Sequence, residues 1–405
     1  ELALEEEIPT VTKKFPNLAH HLLMKIDKER EYIGRTTIVS EYQQAVNEVV
    51  KKHHRRLKAN KINNIAVVVI EVKTGDVVSY VGNISDFSND INNNSVDIIV
   101  SDRSTGSILK PFLYAAMLSE GTILPRSLIY DIPTRFGGYT PKNYNRGYMG
   151  AVPANEALAR SLNIPAVRML RDYGIEKFYH KLEDMGMSSL HYLPDHYGLS
   201  LILGGCEGSL WEIAGIYASM ARTLNNYDRY GYQYDKQDFH PPNYIFNTEK
   251  SNGNRKEPNF ENSSYLSASS IYLTFEAMLD VERPDEESNW ELFRSSERIA
   301  WKTGTSFGFR DAWSIGLTPK YVVGVWAGNA DGEGRPGLVG IKAAAPILFD
   351  VFDVLPDTSH WFTKPDVDMY DAVICNKSGH LASINCDDVS EYSVPKAGNR
   401  SSVCP

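Results

Sequence analysis

The 405-residue sequence is short of positive charge, of cysteine and of long apolar runs. Aspartate and glutamate number 51 against 42 for lysine and arginine, which gives a formal net charge of −9. This acidity argues against a nucleic-acid binder that works through bulk positive charge. No phosphate-binding loop, zinc-finger pattern or apolar run long enough to cross a bilayer is present. We therefore expect a globular chain, long enough for two domains, that uses no cofactor and no metal ion.

The four cysteines are unevenly distributed along the chain. Cys206 lies among apolar residues, whereas Cys375, Cys386 and Cys404 crowd the last stretch. This asymmetry predicts a separate small module at the carboxyl end.

The hydrophobic pattern predicts a mixed α and β architecture. Helical periodicity extends to about Asn60 and ends in a basic run, Lys51 to Lys61, which we interpret as a solvated helix end. Two β-branched runs flank "KTGD" at residues 73–76 and predict a hairpin. From Pro111 to about Leu224 the spacing of apolar residues is mostly helical.

Strand patterns return near the carboxyl half, in "ERIAWKTGT", "DAWSIGLT" and "KYVVGVWAGN". We expect these strands and the first hairpin to share one antiparallel sheet, with the helical half inserted between them. Residues 227–262 are rich in Tyr, Asn, Asp and Pro without periodicity, which predicts a long surface insertion.

The first chemical motif pairs Ser107 with Lys110. Proline is tolerated in the first turn of a helix, so Pro111 predicts a helix that begins at about Ser107. The hydroxyl would then lie at a helix N-terminus, where backbone N–H groups favour developing negative charge, and Lys110 would lie one turn on. A lysine can act as the base for such a hydroxyl if burial or nearby cations lower its pKa.

Two further motifs follow in order along the chain. Ser161 and Asn163 are alternate residues between two helical patterns, so that one loop can present both inward. A later strand carries a cation, two hydroxyls and a glycine that permits close approach of a substrate; these are Lys302, Thr303, Thr305 and Gly304. Each motif alone is weak, because "KTG" recurs at 73–75 and Ser-x-x-Lys recurs at 393–396. Only the first set runs in the order known for penicillin-binding proteins and class A β-lactamases.

On these motifs the chain resembles the transpeptidase region of a class A penicillin-binding protein, most like the 1C type. The segments "SDRSTGSILKPFLYAAML", "NEALARSLNIPAVRML", "LSLILGG", "VERPD", "KTGTSFGFRDAWSIGLT" and "VVGVWAGNADG" carry the resemblance, which covers nearly all of the chain. It implies an α+β fold of the penicillin-binding-protein and serine β-lactamase type, an antiparallel sheet flanked by helices with an inserted α-rich subdomain.

The resemblance also implies a division of the chain into three parts. Residues 1–62, including "LALEEEIP", would connect to a preceding glycosyltransferase domain and membrane anchor that are not in this sequence. Residues 63–355 would form the transpeptidase domain, and residues 356–405 the start of a small cysteine-containing domain. The fragment would be soluble, on the extracytoplasmic side of a bacterial inner membrane. At least two of its three late cysteines would form a disulfide, with Cys375 and Cys386 the nearest pair.

By the same resemblance, each motif residue has an expected role. Ser107 would attack the penultimate D-alanyl carbonyl of a peptidoglycan stem peptide, with Lys110 as base and Ser161 as proton relay. The backbone N–H groups of Ser107 and Thr305 would hold the oxyanion, and Asn163 the substrate amide. The strand residues Lys302, Thr303 and Thr305, with Gly304 between them, would bind the terminal carboxylate.

Three other functions share these motifs and stay open. Water as the acceptor would make the enzyme a D,D-carboxypeptidase. A β-lactamase would need a group that activates water, and no Glu-x-x-Leu-Asn segment follows Asn163. A non-catalytic module that senses β-lactams is the third, and the presence of all the catalytic side chains argues against it.

Overall fold

The computed structural model describes residues 17–29, 34–84, 92–246, 257–281, 298–358 and 360–405. The expected amino-terminal connector segment "LALEEEIP" and residues 282–285 of "VERPD" lie outside these ranges. None of the described helices is both long and apolar enough to cross a membrane.

One antiparallel sheet of five strands lies at the centre of the fold. The strands of the chain are β1 (Asn64–Glu71), β2 (Val77–Val81), β3 (Arg103–Ser104), β4 (Leu128–Asp131), β5 (Gly150–Pro153), β6 (Glu207–Gly208), β7 (Tyr234–Asp235), β8 (Phe260–Glu261), β9 (Ala300–Thr305), β10 (Asp311–Leu317), β11 (Tyr321–Gly328), β12 (Met369–Cys375) and β13 (Val389–Pro395). The central sheet has the order β2-β1-β11-β10-β9, so the first hairpin and the late strands do share one sheet. Among the described strands, β9 pairs with β10 alone, at one end of the sheet.

A hydrophobic core covers each face of this sheet, which explains why the sequences of its strands are continuous apolar runs. Alternation along β1 sends Ala66, Val68 and Ile70 into one core and Ile65 and Val67 into the other. The larger core lies between the sheet and the helical half, and the smaller one lies between the sheet and the helices at Ser40–Lys58 and Ala345–Phe352.

The helices are α1 (His20–Glu29), α2 (Ser40–Lys58), α3 (Lys110–Glu120), α4 (Ala154–Ala159), α5 (Asn163–Tyr173), α6 (Ile175–Asp184), α7 (Pro194–Tyr197), α8 (Leu210–Arg229), α9 (Ala268–Leu279), α10 (Gly340–Ala343) and α11 (Ala345–Phe352). α8 begins with a capping box, in which the Ser209 hydroxyl accepts from the Glu212 N–H and the Glu212 carboxylate accepts from the Ser209 N–H. It packs across β1 and β11, while α2 and α11 cover the opposite face.

Helix α3 is buried along almost its whole length, from Lys110 to Leu118. Pro111 lies in its first turn, and Gly121 ends it in a left-handed conformation with φ 71°. The α-helix therefore begins at Lys110 and not at Ser107 as predicted. Ser107 lies in the turn immediately before it, where the Lys110 N–H donates to the Ser107 carbonyl.

The predicted surface insertion is only partly on the surface. α8 continues to Arg229, and the two-residue strands β7 and β8 pair beyond it. Tyr227, Tyr234 and Tyr244 are buried, and the rings of the first two lie 4.8 Å apart. The aromatic residues of this stretch therefore pack on the helical half, an arrangement that polar composition concealed.

The last residues form a small hairpin of β12 and β13. Its core consists of Ala372, Ile374 and Val394 packed against Leu124 of the preceding region. All four cysteines are free thiols, so the predicted disulfide is not formed in this structure. The described architecture confirms the expected α+β fold, whereas the domain limits at residues 62 and 355 remain predictions.

Candidate active site

The turn that carries Ser107 is fixed by its neighbours on both sides. Strand β3 precedes it and pairs with β6, and the Thr105 N–H donates to the Cys206 carbonyl. The Tyr217 hydroxyl donates to the Ile108 carbonyl at 2.9 Å. Ser107 is partly exposed between these anchored residues, and neither its hydroxyl nor its N–H has a hydrogen-bond partner among the described residues. Both groups are therefore available to a ligand.

Two glycines let this turn lie directly against β9. Gly106 has φ 54°, and a Cβ there would lie 2.7 Å from the Thr305 nitrogen. A Cβ on Gly304 would lie 2.8 Å from the Thr105 carbonyl oxygen and 3.4 Å from the Ser107 nitrogen. Any side chain at either position would force the turn and the strand apart.

Ser161 lies in the loop between α4 and α5, as the sequence predicted, and Asn163 is the first residue of α5. Ser161 has φ 55°, a left-handed conformation that is unfavourable for a residue with a side chain and is held by the surrounding contacts. The chain enters α5 at Asn163, directly after this bend.

Lys110 reaches this loop from the first turn of α3. Its ammonium nitrogen lies 2.7 Å from the Ser161 carbonyl, 3.1 Å from the Leu162 carbonyl and 2.8 Å from Asn163 Oδ1. It also lies 3.5 Å from the Ser161 hydroxyl. Burial, and then the positive charge of Lys302, lower the pKa of Lys110 well below its usual value. The three oxygens favour the charged form, but removal of the whole group from water outweighs them.

Lys302 projects from β9 toward the same hydroxyl. Its Nζ donates to Ser161 Oγ at 2.8 Å and to the Thr303 carbonyl at 2.8 Å. Burial lowers the pKa of Lys302 to about 7. In the described part of the chain, neither Lys302 nor Lys110 has a carboxylate within ion-pair distance. A negatively charged ligand would supply the missing counter-charge.

The hydroxyls of β9 are placed differently from each other. Thr305 Oγ1 accepts a hydrogen bond of 3.0 Å from the Gly340 N–H at the start of α10, which leaves its own proton free to donate.

Thr303 borders a pocket of about 570 Å³ together with Ser161 and Lys302. Ser107, Lys110, Asn163 and Thr305 do not line that pocket, so the cavity marks the strand side of the site and the side-chain contacts define the rest.

Sequence reasoning missed a buried pair that supports the Ser161 loop. Asn143 Oδ1 accepts from the N–H groups of Asn163 and Ile164, at 2.9 and 3.3 Å, and so caps the start of α5. Its Nδ2 donates to buried Asp131 at 2.7 Å. Asn163 Nδ2 in turn donates to the Lys142 carbonyl at 2.8 Å. Residues 142 and 143 follow no periodic pattern, and only the buried aspartate at the end of β4 could have drawn attention to them.

A model of one protein family matches residues 65–352, and its description is penicillin binding protein transpeptidase domain. Penicillin-binding protein 1C of Escherichia coli is 34% identical over 354 residues, which cover 87% of this chain and 42% of that protein. Penicillin-binding protein 1F of Bacillus subtilis is 25% identical over 364 residues, or 82% of this chain and 45% of the relative. The chain thus spans less than half the length of these relatives.

Solved structures of the same kind share the fold. The PonA1 protein of Mycobacterium tuberculosis in complex with penicillin V superposes with a TM-score of 0.63 at 20% identity, over 85% of this chain and 91% of that one. Penicillin-binding protein 1A of Haemophilus influenzae gives a TM-score of 0.61 at 21% identity, over 82% of this chain and 53% of that one.

Proposed function

The chain belongs to the penicillin-binding protein transpeptidase family, and we propose that it is a serine D,D-transpeptidase that cross-links peptidoglycan stem peptides and is acylated by β-lactams. The observation that carries this proposal is the meeting of three separate motifs at one hydroxyl. Lys110 and Lys302 both approach Ser161 Oγ, and the turn before Lys110 presents an unpartnered Ser107 hydroxyl beside β9.

In the proposed first step, Ser107 Oγ attacks the carbonyl carbon of the penultimate D-alanine. Its proton passes to Lys110, because burial and the charge of Lys302 lower the pKa of this lysine well below its usual value and so favour the neutral amine. A neutral lysine has two N–H donors and one lone pair, so it must release one of its oxygen contacts to take up this proton. The oxyanion lies at the Ser107 N–H, with the Thr305 N–H as the expected second donor.

In the proposed second step, the C–N bond breaks and D-alanine leaves. Ser161 relays to the departing amine the proton that Lys110 took from Ser107, because its hydroxyl is bonded to Lys302 and lies near Lys110. The substrate's terminal carboxylate is bound by Lys302, Thr303 and Thr305, and Asn163 holds the substrate amide. The amine of a second stem peptide then attacks the acyl-enzyme and releases Ser107.

The wider biological setting is part of the same proposal. The relatives are about twice as long as the matched region, so we propose that a glycosyltransferase domain belongs to the same full-length protein. We also propose that the domain works on the extracytoplasmic side of the inner membrane, where its peptidoglycan substrate lies.

Labelling with a fluorescent penicillin tests the proposed nucleophile. Wild-type protein should gain the mass of one penicillin, and peptide mapping should place it on Ser107. Ser107→Ala should abolish the label, while Ser393→Ala, which alters the second Ser-x-x-Lys, should label normally. Undiminished labelling of Ser107→Ala, or label on Ser393, would overturn the assignment.

A further inference from the structure

The three cysteines of the terminal hairpin converge on one point. The Sγ atoms of Cys375, Cys386 and Cys404 all lie within 4.8 Å of one another, although up to 29 residues separate them along the chain. Cys375 is buried, and the other two are partly exposed. This cluster is outside the candidate active site, and no step of the proposed function uses it.

Backbone hydrogen bonds hold Cys375 and Cys404 near each other, and the Cys386 N–H donates to the Ser383 carbonyl at 3.1 Å within its own turn. The Cys375 N–H donates to the His380 carbonyl at 2.9 Å, and the Cys404 N–H donates to the Leu381 carbonyl at 2.8 Å. Leu381 also forms bridges with Ile374 on one side and Val403 on the other. The three segments are thus brought together by the fold of the hairpin itself.

The hairpin has a small apolar core, against which Tyr370, Leu381 and Tyr392 pack partly buried. Apart from Leu124, its core contains three buried apolar residues, and two strands alone are marginally stable in water. Domains of this size are usually completed by disulfides or by a structural metal. A disulfide would use two sulfurs about 2 Å apart and leave the third without a partner. Three thiols at one point match a metal site better.

We propose that Cys375, Cys386 and Cys404 bind a structural Zn²⁺ ion as thiolates. With Zn–S bonds of about 2.3 Å, tetrahedral geometry places sulfurs about 3.8 Å apart, within the spread of the cluster. Each thiol loses its proton to solvent as the Zn–S bond forms, so three thiolates and one Zn²⁺ leave a net charge of −1. Among the described residues, no other Cys, His, Asp or Glu donor joins the cluster, and water or a further ligand fills the fourth position.

The metal would fix the turn that docks the hairpin onto the catalytic region. The Leu128 N–H donates to the Ser378 carbonyl at 3.1 Å, and the backbone of Gly379 lies so close to the Arg126 carbonyl that no side chain fits there. Leu124 to Leu128 join α3 to β4. Zinc would therefore support the end of the helix whose first residue is Lys110.

Metal analysis of the intact chain, expressed with added zinc and purified without chelator, tests this inference. Wild type should contain about one zinc per chain, and each of Cys375→Ser, Cys386→Ser and Cys404→Ser should lose most of it. Cys206→Ser is the matched control and should keep the metal. Cobalt in place of zinc should give the intense near-ultraviolet thiolate band and the visible bands of a tetrahedral site.

A measurement on wild type covers the case in which a variant fails to fold. In the native protein, a chelator should make the three clustered thiols react with iodoacetamide, while buried Cys206 stays protected and serves as the internal control. Metal-free protein from zinc-supplemented cultures would overturn the inference. A mass two units below the reduced chain, with only two free thiols after denaturation, would do so as well and would establish the disulfide instead.

Discussion

Lys302 and Ser161 are joined by a hydrogen bond of 2.8 Å, although 141 residues separate them in the sequence. Lys110 lies 3.5 Å from the same hydroxyl. Two buried cations thus share one small polar group, without a carboxylate at ion-pair distance in the described part of the chain. Burial disfavours the charged form of both lysines, because each charge lacks both water and a counter-ion. Burial lowers the pKa of both lysines, and the positive charge of Lys302 lowers the pKa of Lys110 further.

The first prediction concerns the pH dependence of acylation. The penicillin carboxylate needs a protonated Lys302, whose pKa burial lowers to about 7. The rate of acylation should therefore fall as the pH rises through about 7. Lys302→Arg keeps its proton throughout this range and should lose that alkaline fall, even if its rate is lower at every pH. The same alkaline fall in both proteins would assign the titration to another group.

The second prediction concerns stability. Because the pKa of Lys302 is lower in the folded protein than in the unfolded chain, the unfolded chain binds more protons between about pH 7 and 10. The contribution of Lys302 to the free energy of unfolding should therefore rise with pH in that window. Lys302→Met removes the titration. The free energy of unfolding of wild type relative to this variant should therefore increase as the pH rises. Urea unfolding of both proteins at three pH values measures this difference in free energy of unfolding. A difference that does not change with pH would contradict the prediction.

Sequence patterns revealed the sheet, the helical insertion and the three motifs because these depend on local periodicity and turn chemistry. β1 and β2 flank residues 73–76 as predicted, and β9 to β11 follow the predicted strands. The pattern did not reveal contacts that close only in three dimensions. Asn143 beneath Asn163, the buried tyrosines and the meeting of the cysteines across a hairpin all depend on tertiary packing, which no local signal encodes.

The start of α3 shows the same limit on a smaller scale. Pro111 predicted the start of the helix to within three residues. The residues before it, 106–109, form a turn that precedes the α-helix, and the Lys110 N–H donates to the Ser107 carbonyl of that turn. Its shape depends on the close approach of Gly106 to Thr305 of β9, which lies 199 positions further along the chain.

The third prediction tests this close approach. Gly304→Ala places a methyl group 2.8 Å from the Thr105 carbonyl, so that the Ser107 turn must move away from β9. Misplacement of about 1 Å can cost 100-fold in rate, and we expect acylation to slow by at least about tenfold. Gly138→Ala, which meets no atom within 4 Å, is the control and should react normally. Equal rates for the two variants in stopped-flow acylation would show that the contact does not position Ser107.

The fourth prediction concerns Asn143 as a positioning residue. Asn143→Ala removes the acceptor for the N–H groups of Asn163 and Ile164 and leaves Asp131 without one donor. The loss of these buried contacts should cost about 1–3 kcal/mol of stability. Acylation should slow while the label remains on Ser107, and substrate binding should weaken together with the acylation rate. Asn259→Ala, at an exposed position that does not line the pocket, is the control. Reduced thermal stability with an unchanged acylation rate would limit Asn143 to a structural role.

The last prediction concerns the fate of the acyl-enzyme and separates a transpeptidase from a β-lactamase. The opened ring of penicillin stays attached where the leaving peptide would depart, so an acceptor amine cannot approach and only water can release Ser107. Water needs a positioned base. Lys110 serves the serine. Of the two carboxylates that line the pocket, Glu156 is paired with Arg160 at 2.9 Å, and Asp280 is exposed to solvent at the end of α9. We therefore expect an adduct that lasts many minutes, with consumption of about one equivalent of drug.

Decay of the adduct mass after removal of free drug, together with nitrocefin hydrolysis at low enzyme concentration, measures this lifetime. Glu156→Gln should leave the lifetime unchanged, because the carboxylate is occupied by its arginine and has no role in releasing the acyl group. Ser107→Ala provides the background rate without an adduct. Sustained hydrolysis of many equivalents of nitrocefin by wild type would favour the lactamase. Loss of that hydrolysis in Glu156→Gln would identify the carboxylate that activates water at the acyl carbonyl, a group that only a hydrolase needs.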